Sequence, residues 1–306
     1  MRKISLVLAV AIILVSTLGM TGCANYDFAE TGTVIITAKE AIALMGNANT
    51  VFVDLRSPAD YEKQHVYNAV NIPRSAINID NPFSNMLASK EQIEDVMGKN
   101  GISNDTLVIA YDSSNNMDAS RLWWTLLVYG HENVKVVSGG FNALVDEGVR
   151  LSDIPPVIQP AVFVADELNE TFMAYKADVL NQVNNPDGNV VLIDTRSLQE
   201  FNMGTIPSSL HIDYLTNNHG DGTFRSVRDI QIMYLEQGIK PETTVVIYCL
   251  TSIRGAQTLA ALWNAGYRNL VLYDGAWVEW IADENSPVDV PGDMPAPVRP
   301  SQQDNS

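Results

Sequence analysis

Cys249 is the residue whose setting most clearly permits chemistry. It follows an apolar run, Thr244–Tyr248, and precedes Leu250-Thr251-Ser252-Ile253-Arg254-Gly255 and an apolar helical pattern, Ala256–Asn264. A cysteine at the carboxyl end of a buried strand, where a short loop enters a helix, faces backbone N–H groups and the positive end of the helix dipole. That environment favours the thiolate, the nucleophilic form of the side chain. Only four residues separate Cys249 from Arg254. The N–H groups of Leu250, Thr251, Ser252, Ile253 and Arg254 are therefore candidates for an anion cradle, with the Arg254 guanidinium as its fixed cation. A lone cysteine is more often a small buried hydrophobe, and a lone arginine a surface ion pair. The strand, cysteine, loop, arginine, glycine and helix in succession favour the chemical reading. Arg196, two residues after Asp194, is a further substrate-binding candidate, although the same pair also reads as a structural ion pair at a strand end. Trp277 and Trp280 read as packing residues.

The elements that position these groups are written twice. Val51-Phe52-Val53-Asp54-Leu55-Arg56-Ser57 matches Val191-Leu192-Ile193-Asp194-Thr195-Arg196-Ser197. Ser89 to Gln92 matches Ser226 to Asp229, both helix-starting boxes that satisfy orphan N–H groups. Leu107–Tyr111 matches Val245–Tyr248, and Gly130–Val134 matches Gly266–Leu270. The Val/Ile-rich runs predict strands at Val51–Leu55, Leu107–Tyr111, Val134–Val137, Val190–Ile193, Val245–Tyr248 and Leu270–Tyr273, apolar on both faces as parallel strands are. Helical patterns lie between them at Thr37–Met45, Met117–Tyr129 and Ala256–Asn264. This alternation predicts α/β architecture in two homologous domains, each a mainly parallel sheet with helices on both faces. The domains are read as 33–150 and 161–286, joined by a linker at 151–160 that carries Pro155, Pro156 and Pro160. The Pro-rich segment 287–306 is expected to be disordered.

The chain of 306 residues carries 19 Lys and Arg against 36 Asp and Glu, a formal charge of −17. An acidic chain without a basic stripe is unsuited to displace counterions from nucleic acid. Two cysteines, Cys23 and Cys249, and four scattered histidines make no metal cluster, and no cofactor is expected. At the N-terminus Arg2 and Lys3 precede an uncharged apolar run, Ile4–Leu18, too short for a usual membrane span. Met20-Thr21-Gly22-Cys23 follows. This resembles a bacterial lipoprotein signal, which implies removal of residues 1–22 and a lipid on Cys23. The expected protein is extracytoplasmic and anchored to a bacterial membrane. Loss of the two cations Arg2 and Lys3 takes its charge from −17 to −19.

Taken together, these motifs make the chain similar to tandem-domain rhodaneses. The resemblance rests on Val53-Asp54-Leu55-Arg56 and Ala69-Val70-Asn71-Ile72-Pro73 in the first copy. In the second it rests on Ile193-Asp194-Thr195-Arg196, Gly204-Thr205-Ile206-Pro207, the Cys249 loop and Tyr273-Asp274-Gly275-Ala276-Trp277-Val278-Glu279-Trp280. It implies a sulfurtransferase in which Cys249 takes a sulfane sulfur from a small anionic donor, thiosulfate or 3-mercaptopyruvate. The sulfur rests there as a persulfide and passes to cyanide, a small thiol or a protein thiol. It also implies an inactive first domain, because Asp112 stands where Cys249 stands in the second, and that domain would close one wall of the cleft. The chain departs from the family pattern at Ser252, where many members have Gly, at Thr205, where a His is common, and at Glu200. An acid at position 200 would repel an anionic donor if it faced the cleft. Two other functions compete with this one: a cysteine-dependent phosphatase, whose loop needs one residue more, and an extracytoplasmic sulfur carrier or anion-binding lipoprotein with little turnover.

Overall fold

The computed structural model describes residues 26–292. The leader, Cys23 and the tail after residue 292 lie outside the described residues. The repeat is realised as two five-stranded, all-parallel sheets of identical strand order. The first runs Ile35–Ile36, Val134–Val137, Leu107–Tyr111, Thr50–Asp54, Val70–Asn71. The second runs Met173–Ala174, Leu270–Tyr273, Thr244–Tyr248, Val190–Asp194, Leu210–His211. Each middle strand, Leu107–Tyr111 or Thr244–Tyr248, is buried from its second residue onward, which is why both faces of these strands are apolar.

Local signals place the helices. Thr37 and Glu40 form a reciprocal capping box before Ala38–Ala43, and Ser89 and Ser226 accept the N–H groups of Gln92 and Asp229. The helix after Cys249 spans Ile253–Asn264 and so starts earlier than its apolar pattern indicates. Ser252, in the left-handed region at φ 62°, turns the loop directly into it. Gly255 lets that helix lie on the sheet, since a Cβ there would meet Leu272 Cδ1 at 2.8 Å.

The connection between the halves is longer than its prolines suggest. Leu151–Ser152 pairs with His65–Val66. Beyond the prolines, Ala161, Asp166 and Asn169 donate to Gly98, Tyr129 and Val128 carbonyls of the first half. Proline ends a helix or a ladder, but the groups that follow still need partners, and the first half supplies them. At the other end, residues before the first strand cross the second half: Ala29 N donates to Gly266 O, and Asn264 Oδ1 accepts from Val34 N and Ile35 N.

The halves meet along the helices Met117–Val128 and Ile253–Asn264, which share one apolar core. Every residue from Asp118 to Val128 is buried. Within this core lies an ion pair. Arg121, fully buried, donates to Asp274 Oδ1 of the second half at 2.7 Å, to Asn78 Oδ1 at 2.8 Å and to Asn85 O at 2.9 Å. Leu87 N donates to the other Asp274 oxygen. Trp277 and Trp280 lie in the second half's own core, with Trp280 Nε1 donating to Pro287 O. Among the described residues no helix is long and apolar enough to cross a membrane.

Removing one partner of a buried pair strands the other charge, at a cost of about 3–5 kcal/mol. Arg121→Ala is expected to lose about that much in urea denaturation. The double variant with Asp274→Ala is expected to lose less than the two single losses added together.

Candidate active site

The Thr244–Tyr248 strand delivers Cys249 to the carboxyl edge of the second sheet, where it is almost completely buried. Two carbonyls of its loop are tied outward: Cys249 O accepts from Trp277 N and Leu250 O from Val278 N. Ser252 lies beneath the loop, its hydroxyl bonded to the carbonyls of Tyr273 and Asp274. The hydroxyl compensates the left-handed backbone that favours glycine here. No acceptor among the described residues takes the N–H groups of Leu250, Thr251, Ser252, Ile253 or Arg254, and Ser252 provides no side-chain cap. These donors lie at the positive end of a twelve-residue helix.

Cys249, Leu250, Thr251, Ile253 and Arg254 line a cleft of about 370 Å³, joined by Tyr214 from the second half and by Arg74 and Met117 from the first. Asn85, also from the first half, donates to Thr251 Oγ1 at 3.2 Å. The cleft therefore needs both halves. Ser252 belongs to the loop but does not line the cleft.

Glu200 does approach the loop, and there it meets the arginine. Its two oxygens accept from both terminal nitrogens of Arg254, each at 2.7 Å, while Ser197 holds the same carboxylate through its N–H and hydroxyl. Burial alone would raise the Glu200 pKa. The bonds from Arg254 and Ser197 override it and hold the group down at about 2. For Arg254, burial works against the cation, but the bond to Glu200 and the charge of Cys249 raise its pKa overall.

Arg196, read either as a substrate-binding group or as a structural ion pair, is buried and does not line the cleft. Its Nε and Nη2 grip Asp194 at 2.9 and 2.6 Å, Nη2 also donates to Gly204 O, and the guanidinium lies over the Trp277 ring. Arg56 repeats this in the first half, with Asp54, Gln64 O and the Phe141 ring. A device present where no cysteine stands fixes a strand end. Thr205, in place of the common His, donates to Asp194 Oδ2 and meets Tyr248 OH at 2.7 Å.

The first half shows what such a loop does with an anion of its own. Asp112 Oδ1 accepts from Ser114 N and Asn116 N at 2.9 and 3.0 Å, and Oδ2 from Ala119 N at 2.9 Å. Its carboxylate fills the cradle that Cys249 leaves open. Burial, with the nearby Asp118 charge, raises the Asp112 pKa to about 6 in spite of these bonds. The sequence flagged Asp112 only as a missing cysteine. The sequence marks Glu200 only as an acid that would repel a donor if it faced the cleft, and does not mark Tyr214, Met117 or Arg74. Glu200 had one local signal, its place in the Ser197 capping box; the first-half residues had none. Among the described residues no group of His, Cys, Asp and Glu is placed to hold a metal ion.

A thiol raised at the end of the middle strand of a parallel sheet over unpartnered helix-entry N–H groups, beside a second copy whose loop carries Asp112 in place of cysteine, defines a tandem α/β thiol site. The chain belongs to the rhodanese family, matching the Rhodanese-like domain over residues 37–147 and again over 177–283. A Haloferax volcanii protein named "Putative thiosulfate sulfurtransferase" is 31% identical over 246 residues, 75% of this chain and 84% of that one. The "Sulfur carrier protein TtuD" of Thermus thermophilus is 30% identical over 63% of this chain and 74% of its own length. Among solved structures, an anaerobic ergothioneine biosynthesis enzyme from Chlorobium limicola shares the fold, with a TM-score of 0.76 and 20% identity. The match covers 89% of this chain and 72% of that one.

Two outcomes are expected. Asp112→Ala leaves three N–H groups, two of them buried, without their acceptor and is expected to cost about 3–5 kcal/mol in urea denaturation. For Glu200, a folded pKa of about 2 lies below its ordinary 4.5. Its stabilising contribution is present above pH 4.5 and fades as the pH falls toward 2. Urea midpoints followed across that window are expected to fall less steeply for Glu200→Gln than for the wild type.

Proposed function

We propose that this protein is a sulfurtransferase that carries sulfur on Cys249. The contrast between the loops is the supporting observation: one cradle is filled by its own carboxylate, and the other offers its N–H groups beside a thiol. The names of the relatives point to the same activity. In the reaction, the Cys249 thiolate attacks the outer sulfur of thiosulfate. The sulfur–sulfur bond breaks, and sulfite leaves with the electron pair. The persulfide, with the loop N–H groups around its terminal sulfur, is then attacked by cyanide or a thiolate. Transfer of the outer sulfur returns Cys249 as thiolate. With 3-mercaptopyruvate as donor, pyruvate replaces sulfite as the product. Backbone donors fixed in place need no reorganisation when charge arrives on sulfur.

A carrier with little turnover is the second reading, favoured by the clamp of Glu200 on Arg254 and by the relative named as a sulfur carrier. The site is placed outside the cytoplasm by the proposed lipid on Cys23, supported by Arg2, Lys3 and the apolar run that precede it.

Intact mass after incubation with thiosulfate, and separately with 3-mercaptopyruvate, is expected to show one added sulfur atom, lost on treatment with cyanide and absent in Cys249→Ala. Thiocyanate released over many turnovers supports the enzyme, and one sulfur released per chain supports the carrier. No added sulfur with either donor would overturn both readings.

A further inference from the structure

Arg254 is the obvious cation for a donor anion, yet Glu200 occupies both its terminal nitrogens in a two-point bond. The pair is close to neutral, and a donor reaching for Arg254 must compete with a carboxylate that Ser197 also holds in place. Asp213, on the same cleft, adds a negative charge, its Oδ1 accepting from Leu215 N. A second guanidinium lines this cleft from the other half of the molecule. Arg74 opens the short helix Arg74–Ile77, straight after Pro73. Its side chain makes a single bond, from Nε to Asp118 Oδ1 at 2.5 Å, and remains 38% exposed. Asp118 is steadied in turn by the Ser114 hydroxyl on its other oxygen. Both terminal nitrogens of Arg74 lack an acceptor among the described residues. A guanidinium anchored through Nε, with its outer fork free, has the geometry for two-point capture of a sulfonate or carboxylate.

We infer that Arg74, from the half without the cysteine, positions the anionic end of the sulfur donor against Cys249. The inference rests on Cys249 being the sulfur-accepting thiol. It gives the first half a direct part in donor binding: Asp118 stands in that half's sequence where Arg254 stands in the second, and here it aims Arg74 into its neighbour's cleft. The donor class that fits is a small anion with two acceptor oxygens at one end and sulfur at the other.

Two measurements on the full-length protein test this. In thiosulfate:cyanide turnover, Arg74→Ala is expected to raise KM for thiosulfate about tenfold, the size of one lost charge-assisted bond, with kcat changed far less. Arg74→Lys is expected to recover part of the loss. The second measurement needs no sulfur transfer. Cys249 is alkylated by iodoacetate, an anion, and by neutral iodoacetamide, and the ratio of the two rates is compared across variants. Arg74→Ala and Arg74→Gln, the latter keeping a hydrogen bond to Asp118, are expected to lower that ratio several-fold. A ratio that stays at the wild-type value in both variants, or that falls only when Arg254 is replaced, would overturn the inference. Should the wild type form no persulfide, the sulfur-transfer reading fails, while the alkylation ratio still decides the role of Arg74.

Discussion

The Arg121–Asp274 ion pair organises the rest of the molecule. It joins the halves at the centre of their shared core, in surroundings where an unpaired charge would be costly. Its remaining valences are met in detail: Asn78, the Asn85 carbonyl and Leu87 N–H all come from one hairpin of the first half. Docking of the halves in any other register would leave these groups unsatisfied. The active loop hangs from the same point, because Ser252 bonds the Tyr273 and Asp274 carbonyls and Asn85 reaches Thr251. The interface that holds the molecule together thus also fixes the height of Cys249 over its N–H groups. Hydrophobic contact between the two long helices supplies the attraction, and the buried polar groups supply the register.

Duplication left the frame of the two halves alike and separated their loops. Strand order is identical, the Asp54–Arg56 and Asp194–Arg196 clasps are superimposable in chemistry, and each middle strand ends one residue before the one that decides the outcome. In the first half the loop residues Asn115 and Asn116 both take left-handed backbone, and Asp112 gathers three N–H groups. In the second, only Ser252 is left-handed and the loop is one residue shorter before its helix. The arginine of the shorter loop has then been placed under the control of Glu200, a residue that also caps its own helix.

What could be read from the sequence follows from the range of the forces involved. Strands such as Leu107–Tyr111 and helix starts at Thr37, Ser89 and Ser226 are fixed by neighbours a few residues away, and they were legible. So was the position of Cys249, because a strand end followed by a tight helix entry is a local pattern. The type and place of Arg196 allow two partners, and only the copy at Arg56 shows that the clasp to aspartate is general. The Glu200–Arg254 bond and the entry of Arg74 into the cleft depend on how distant segments are docked, which no local periodicity encodes. The prolines at 155, 156 and 160 marked where regular structure stops, whereas the hydrogen bonds of Ala161 to Asn169 show where the first half stops holding the chain.

The carboxylate that fills the first loop carries a thermodynamic consequence. A ligand covalently part of its own site is present at fixed effective concentration, so the first loop stays filled at every donor concentration. The second loop obeys mass action, and its stability rises with whatever anion it binds. The gain in stability on anion binding therefore arises at the cleft around Cys249, to which Arg74 and Met117 of the first half also belong. One loop is thus saturated by its own side chain, while the other reports the anions in the surrounding solution.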